Sequence, residues 1–408
     1  MRRFPLILIA SALLLASCCE KETPARPNPI PVIRLTTDDG QPVTSKTIYK
    51  AGAIAIEEAD STAFQAQMEI RGRGNSTWDP ENIPKLPYKI RLKESARLFG
   101  MSDDRSWDLL ANWSDKSLLR NRVCYELSKI VGMEWTPKSV PVEVYLNGDY
   151  IGLYDFIEHK SVSAERVNID LKAGDIYFEL ESQMDSPVCW TTELGHPVNF
   201  KEPEHPNQTQ IDYAKQFFKD FEDALAAKEY SRVYDEFIDV DSFIDNFIVE
   251  EFSKDVDGIL RKSTFLTLKK GGKLQMYNLW DFDITFGNCD YYQDGLEPWE
   301  GWWVRTHNMW GPGRGWYWLM FQDKVFVDKV KQRWNEVYPE FVRLYKQIDV
   351  MAIELGDAPK RNFEKWPILT QYVWPNCKVT GSYKGEVDWL KENYRKRLEW
   401  MNTNIAKL

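Results

Sequence analysis

The chain has 408 residues, with 62 Asp+Glu against 52 Lys+Arg, 17 Trp and 4 His. The length suggests two or three units of roughly 150 residues, and 43% hydrophobic residues supply a sizeable core, so a disordered chain is excluded. A formal charge of −10 without a long basic stripe argues against nucleic acid as a partner, since that binding needs clustered cations, and the scarcity of His points any chemistry towards carboxylates.

The N-terminus reads as a targeting segment. Arg2 and Arg3 precede an apolar run over 4–15, the length of a signal-peptide core and too short for a span of about 20 residues. The run ends in Leu15-Ala16-Ser17-Cys18, which resembles a bacterial lipobox; a plain small-residue cleavage site is the alternative. In the lipobox reading residues 1–17 are a lipoprotein signal peptide and Cys18 is lipidated. Arg2 and Arg3 then leave with the signal, so the charge of −10 becomes −12. Residues 18–31, with Pro24, Pro27, Pro29 and Pro31, read as an extended tether hanging the body from a membrane in the cell envelope, at the outer membrane or cell surface.

Over 32–92, short alternating runs separated by turn residues predict strands, among them 66–70 and 88–92. Leu118, Leu119, Val123, Leu127 and Ile130 predict a helix over 117–131 that ends at Gly132. Asn147-Gly148 predicts a hairpin over 142–157. The second half turns helical, with helices expected over 211–227, 241–254, 325–346 and 386–407 and a hairpin over Gly271-Gly272. The fold class expected is α+β, with a β-rich region over 32–160 and an α-rich region over 161–408. Cys124, Cys189, Cys289 and Cys377 have no metal-cluster spacing; disulfides and buried thiols both remain open.

Three constellations carry possible chemistry. Directly after the Gly-Gly hairpin, Asp281-Phe282-Asp283 places two carboxylates around one aromatic, suited to Mg²⁺ or to a turn in which both accept backbone N–H groups. Upstream, Asp255 and Asp257 close an apolar helix. The order carboxylate loop, hairpin, carboxylate turn resembles a protein-kinase catalytic core; an ordinary helix end is the other reading. Arg71-Gly72-Arg73-Gly74 after a strand suits an anion approaching backbone N–H groups, and Lys89, mid-strand, is either solvated or phosphate-pairing.

Together, IRGRGNSTW at 70–78, LPYKIRL at 86–92, LLANWSDKSLLRN at 109–121, VYLNGDYIGLY at 144–154, NFKEPE at 199–204 and WDFDITFGN at 280–288 resemble the CotH kinase family, the spore-coat protein H relatives. The resemblance implies an atypical secreted kinase of protein-kinase-like bilobal fold, which uses ATP with Mg²⁺ or Mn²⁺ to phosphorylate Ser or Thr of a partner protein. It assigns Asp257 the catalytic-loop role, Asp281 the metal, and Lys89 the phosphate-contacting lysine, with Glu126 as its ion-pair partner. Glu158 falls at the hinge, and Arg71, Asn75 and Ser76 at the phosphate side. The chain departs from the kinase pattern in lacking His-Arg-Asp, and Lys262 stands where a second metal ligand is expected, leaving that role to Asp283.

Six Trp fall between Trp299 and Trp318 in a Gly-interleaved loop over 298–318. Exposed, they would grip a glycan or a protein and make the chain a binding lipoprotein with a degenerate kinase body; buried, they form a local core. Paired carboxylates also serve glycosidases, at separations of about 5–9 Å.

Overall fold

The computed structural model describes residues 30–58, 61–291, 295–308, 311–312 and 315–408. Cys18, the tether through residue 29 and Trp310 therefore lie outside the described residues.

Alternation of apolar and polar residues builds a closed barrel. Its strands are β1 (Val32–Thr37), β2 (Lys50–Glu58), β3 (Ser61–Gly72), β4 (Tyr88–Arg97), β5 (Asp103–Leu110), β6 (Ser139–Leu146) and β7 (Asp149–Glu158), in the order β1-β2-β3-β4-β5-β7-β6. Parallel pairing of β1 with β6 closes it. Inside pack Ile33, Ile54, Met68, Ile90, Trp107, Val144 and Phe156 with their same-face neighbours, so the side chains between them point outward. That outer face carries Arg71, Lys89 and Asp108. Asn147 and Gly148 both take positive φ, 52° and 90°, as the tight β6–β7 turn demands.

A second, antiparallel sheet follows: β8 (Ile176–Leu180), β9 (Cys189–Thr191), β10 (Pro197–Glu202), β11 (Thr264–Leu268) and β12 (Leu274–Asn278), in the order β12-β11-β8-β10-β9. Helix α1 (Arg120–Val131) lies between β5 and β6 in sequence. Helices α2 (Gln208–Ala226), α3 (Tyr230–Arg232), α4 (Val240–Ser253), α5 (Trp316–Met320), α6 (Lys324–Glu354), α7 (Ala358–Lys365) and α8 (Tyr383–Ile405) make up the C-terminal half. Phe252 at the end of α4 is the hub of their core, its ring centroid within 6 Å of those of Phe286, Trp334, Phe341 and Tyr394. The chain is thus α+β, with a β-rich first half and a helical second half. Among the described residues no helix is long and apolar enough to cross a membrane.

Helix α7 ties the two halves. Arg361 donates to both oxygens of the buried Glu143 at 2.7 Å, and Asn362 Oδ1 accepts from the Leu153 backbone N–H. The adjoining Gly152 has φ 117°, and a Cβ there would meet Asn362 Oδ1 at 2.7 Å and Lys85 Cε at 2.9 Å. Only glycine admits so close an approach in that conformation.

The tryptophan-rich loop packs down. Trp316 is fully buried and donates to Glu222 Oε1 at 2.8 Å; Trp299 meets Trp389 edge-on, and Trp302 meets Trp400. Glu251 accepts the backbone N–H of Trp303 and Arg305 while pairing with Arg397. Trp318, 39% exposed, is the most open of the described five. No disulfide forms among the described residues: Cys124, Cys189, Cys289 and Cys377 all remain thiols.

Candidate active site

Strand register places a row of charges on the barrel's outer wall. Arg71 of β3 stands opposite Lys89 of β4, which stands opposite Asp108 of β5. Two cations directly opposite each other repel, so the wall favours an anion between them. These residues, with Arg73, Arg91 and Lys160, line one side of a cleft of about 780 Å³. The second sheet and its loops line the other side with Glu179, Glu181 and Glu202.

The cleft is held by polar contacts that alter its titration. Burial works against an ionised Asp108, but His159, Arg73 and Lys89 outweigh it and hold the carboxyl well below the usual carboxylate range. Burial pushes His159 down to about 3, so the imidazole is neutral at pH 7 beside that carboxylate. Burial likewise lowers Lys89 to about 8 and Lys160 to about 7. Lys160 Nζ sits 3.5 Å from the centre of the Trp280 ring, over an aromatic face that favours a cation.

Next to the cations lie the carboxylates. Asp281 follows β12 and Trp280 in left-handed backbone, φ 74°, a conformation that Asp tolerates better than most residues. Lys254, Leu260, Ser263 and Phe286 also take positive φ, so strained backbone gathers around this site. Asp281 is exposed on one side, at the small pocket next to the cleft, while protein surrounds it on the others. Burial raises its carboxyl, Arg73 lowers it, and Asp257 raises it again. Asp283 accepts from Ser114 Oγ at 2.9 Å, and burial with the Asp281 charge pushes it up to about 8. Asp257 meets Lys262 Nζ at 3.3 Å and Arg261 at 3.6 Å. Its backbone N–H donates to Asp255, whose carboxyl burial raises to about 7. Gly258 fits because a Cβ there would lie 2.1 Å from Glu250 Oε2.

The expected site residues divide. Arg71, Asn75 and Lys89 line the cleft, and Asp281 and Asp283 line a small adjoining pocket that shares Arg73 with it; Ser76 is exposed and lines neither. Glu126 does not pair with Lys89: it sits on the outer side of α1 and binds Lys129 at 2.6 Å. Glu158 is not an open hinge residue. It is buried, and its carboxylate accepts the backbone N–H groups of Ser102 and Lys138, pinning the chain on either side of β7. Arg73, Asp108, His159 and Lys160 were missed as site residues. Arg73 stood in the R-G-R-G motif, and alternation along β5 marks Asp108 as outward-facing, whereas His159 and Lys160 follow a strand end and carry no local signal.

Asp283, raised by burial and the Asp281 charge, and Asp281, raised by burial and Asp257, are the kind of carboxyls whose repulsion a divalent cation would relieve. No group of three or more His, Cys, Asp or Glu that could hold a metal occurs among the described residues. Mg²⁺ takes one or two protein carboxylates and completes its shell with phosphate and water. No curated protein matches the chain. The family model for CotH kinase protein matches residues 70–401, four-fifths of the sequence and the whole of both walls of this cleft from Ile70 onward. The chain belongs to the CotH kinase family.

Proposed function

We propose that the protein is a kinase that transfers the γ-phosphoryl group of ATP to a Ser or Thr hydroxyl of a partner protein, in a kinase-like bilobal arrangement with the barrel as the small lobe. The observation that carries this reading is Arg73, which lines both the cationic cleft and the pocket holding Asp281 and Asp283, and whose Nε lies 3.5 Å from Asp108. A triphosphate lying along Arg71, Lys89 and Arg73 would bring its last phosphate to the carboxylates. Asp281 and Asp283 would hold Mg²⁺ or Mn²⁺, which supplies charge neutralisation on the phosphates. Asp257 accepts the proton as the acceptor oxygen bonds to γ-phosphorus and the bond to the β,γ-bridging oxygen breaks; Lys262 and Arg261 orient its carboxylate.

Full-length protein with labelled ATP and Mg²⁺ or Mn²⁺ is expected to incorporate phosphate into itself or a Ser-containing protein, and nucleotide with metal should raise its melting temperature. Asp257→Asn is expected to slow transfer by about 100-fold with nucleotide binding kept. Wild-type protein that shows neither label nor thermal shift ends the kinase reading.

The lipobox motif supports a lipid anchor at Cys18 that holds the kinase in the cell envelope. Cys18→Ala should move the protein from the membrane to the soluble fraction and abolish metabolic labelling with a fatty acid. Unchanged fractionation and labelling would refute the anchor.

A further inference from the structure

A kinase lysine needs a partner to hold it, and Glu126 faces away. The barrel wall supplies another. Register sets Asp108 of β5 opposite Lys89 on one side and Ile157 of β7 on the other, and His159 lies just past the end of β7. Three neighbouring strands therefore deliver Lys89, Asp108 and His159 to one patch of the outer face. His159 Nδ1 lies 2.9 Å from Asp108 Oδ2, and Nε2 lies 2.7 Å from Lys89 Nζ.

The chemistry of the three groups fixes the direction of each bond. A carboxylate only accepts, so Nδ1 carries the proton and donates to it. Nε2 then keeps its lone pair, and the Lys89 ammonium, which only donates, gives it a hydrogen bond. Arg73 approaches the other Asp108 oxygen at 3.5 Å, so the negative charge is shared and stays one group removed from Lys89. Arg71 and Arg91 on the barrel and Glu202 on β10 complete the charged surroundings of Lys89. A glutamate in the place of His159 would hold Lys89 but offset its charge. A neutral imidazole holds it and leaves that charge to the phosphates.

We propose that His159, oriented by Asp108, is the positioning residue for Lys89, doing with a neutral acceptor what a helix glutamate does in protein kinases. The inference rests on the kinase reading for the identity of the anion, ATP, but the Lys89 contact itself can be tested apart from it. In full-length protein His159→Ala is expected to raise KM for ATP about tenfold or more with kcat changed much less, and His159→Gln, whose amide oxygen accepts in the same place, should recover most of the loss. A histidine that only packs would lower the melting temperature without this split or this rescue. In nucleotide-free protein, trace acetylation read by mass spectrometry should modify Lys89 several-fold faster in His159→Ala than in wild type, with Lys89→Met confirming the peptide assignment. An unchanged KM, an equal loss in the Ala and Gln variants, or an unchanged Lys89 labelling rate overturns the proposal. If wild type neither binds nor turns over ATP, the kinase reading falls, and the labelling rates alone decide whether His159 holds Lys89.

Discussion

Asp281→Asn is expected to reduce phosphoryl transfer by about 10³-fold or more while leaving the fold in place. The two halves of that expectation come from different observations. The fold should survive because Asn is nearly isosteric and, like Asp, accepts the left-handed backbone, here φ 74°; the 3.4 Å contact from Ser263 Oγ also keeps an acceptor. Activity should not, because the amide has no charge with which to hold a divalent cation against the phosphates, and Asp283 alone would have to serve. Removing the Asp281 charge also takes away one of the causes that raise Asp283, leaving burial with the Asp115 and Asp255 charges, so Asp283 should titrate below about 8 in the variant. Transfer of labelled phosphate and the nucleotide-free melting temperature decide it: retention of more than about a tenth of the wild-type rate, with the fold intact, would remove Asp281 from the reaction.

Much of this architecture is legible in the sequence where the signal is local. The β6–β7 hairpin follows from Asn147-Gly148, since both residues accept positive φ, and β11–β12 follows from Gly271-Gly272. Helices α2, α4, α6 and α8 follow from apolar periodicity, with ends shifted by a few residues; α6 runs on to Glu354 although Pro339 lies inside it. Barrel closure is not legible, because the parallel pairing of Val32 with Glu143 joins segments more than a hundred residues apart and leaves no mark on either. Strand β8 is not legible either, since on one side it pairs with β11 from far along the chain. The cleft shows the same divide. Lys89 and Arg71 stand out as cations on strands, but what holds Lys89 depends on register across three strands, and so His159 carries no sequence signal. The Glu126 assignment fails for a related reason: that residue lies on α1's solvent side, where Lys129, one turn on, is its partner.

Asp115→Ala is expected to lower stability by about 3–5 kcal/mol, the largest loss from a single truncation at the base of the site. Both Asp115 and Arg120 are completely buried, joined at 2.6 Å. The same carboxylate accepts the backbone N–H groups of Ser117, Leu119 and Arg120, so it also caps the start of α1, which begins at Arg120 rather than at Ser117. Alanine would strand a buried guanidinium and unsatisfied N–H groups at once. Arg120 in turn donates to the backbone oxygen of Thr285 at 2.9 Å, within the loop that starts at Asp281, so the variant should also lose activity beyond its loss of folded protein. In the double variant Asp115→Ala/Arg120→Met the stranded charge is gone while the uncapped N–H groups remain, so part of the stability should return. Urea unfolding followed by tryptophan fluorescence measures all three. A loss under about 1 kcal/mol for Asp115→Ala, or a double variant no more stable than that single one, would show that the pair does not anchor the carboxylate loop.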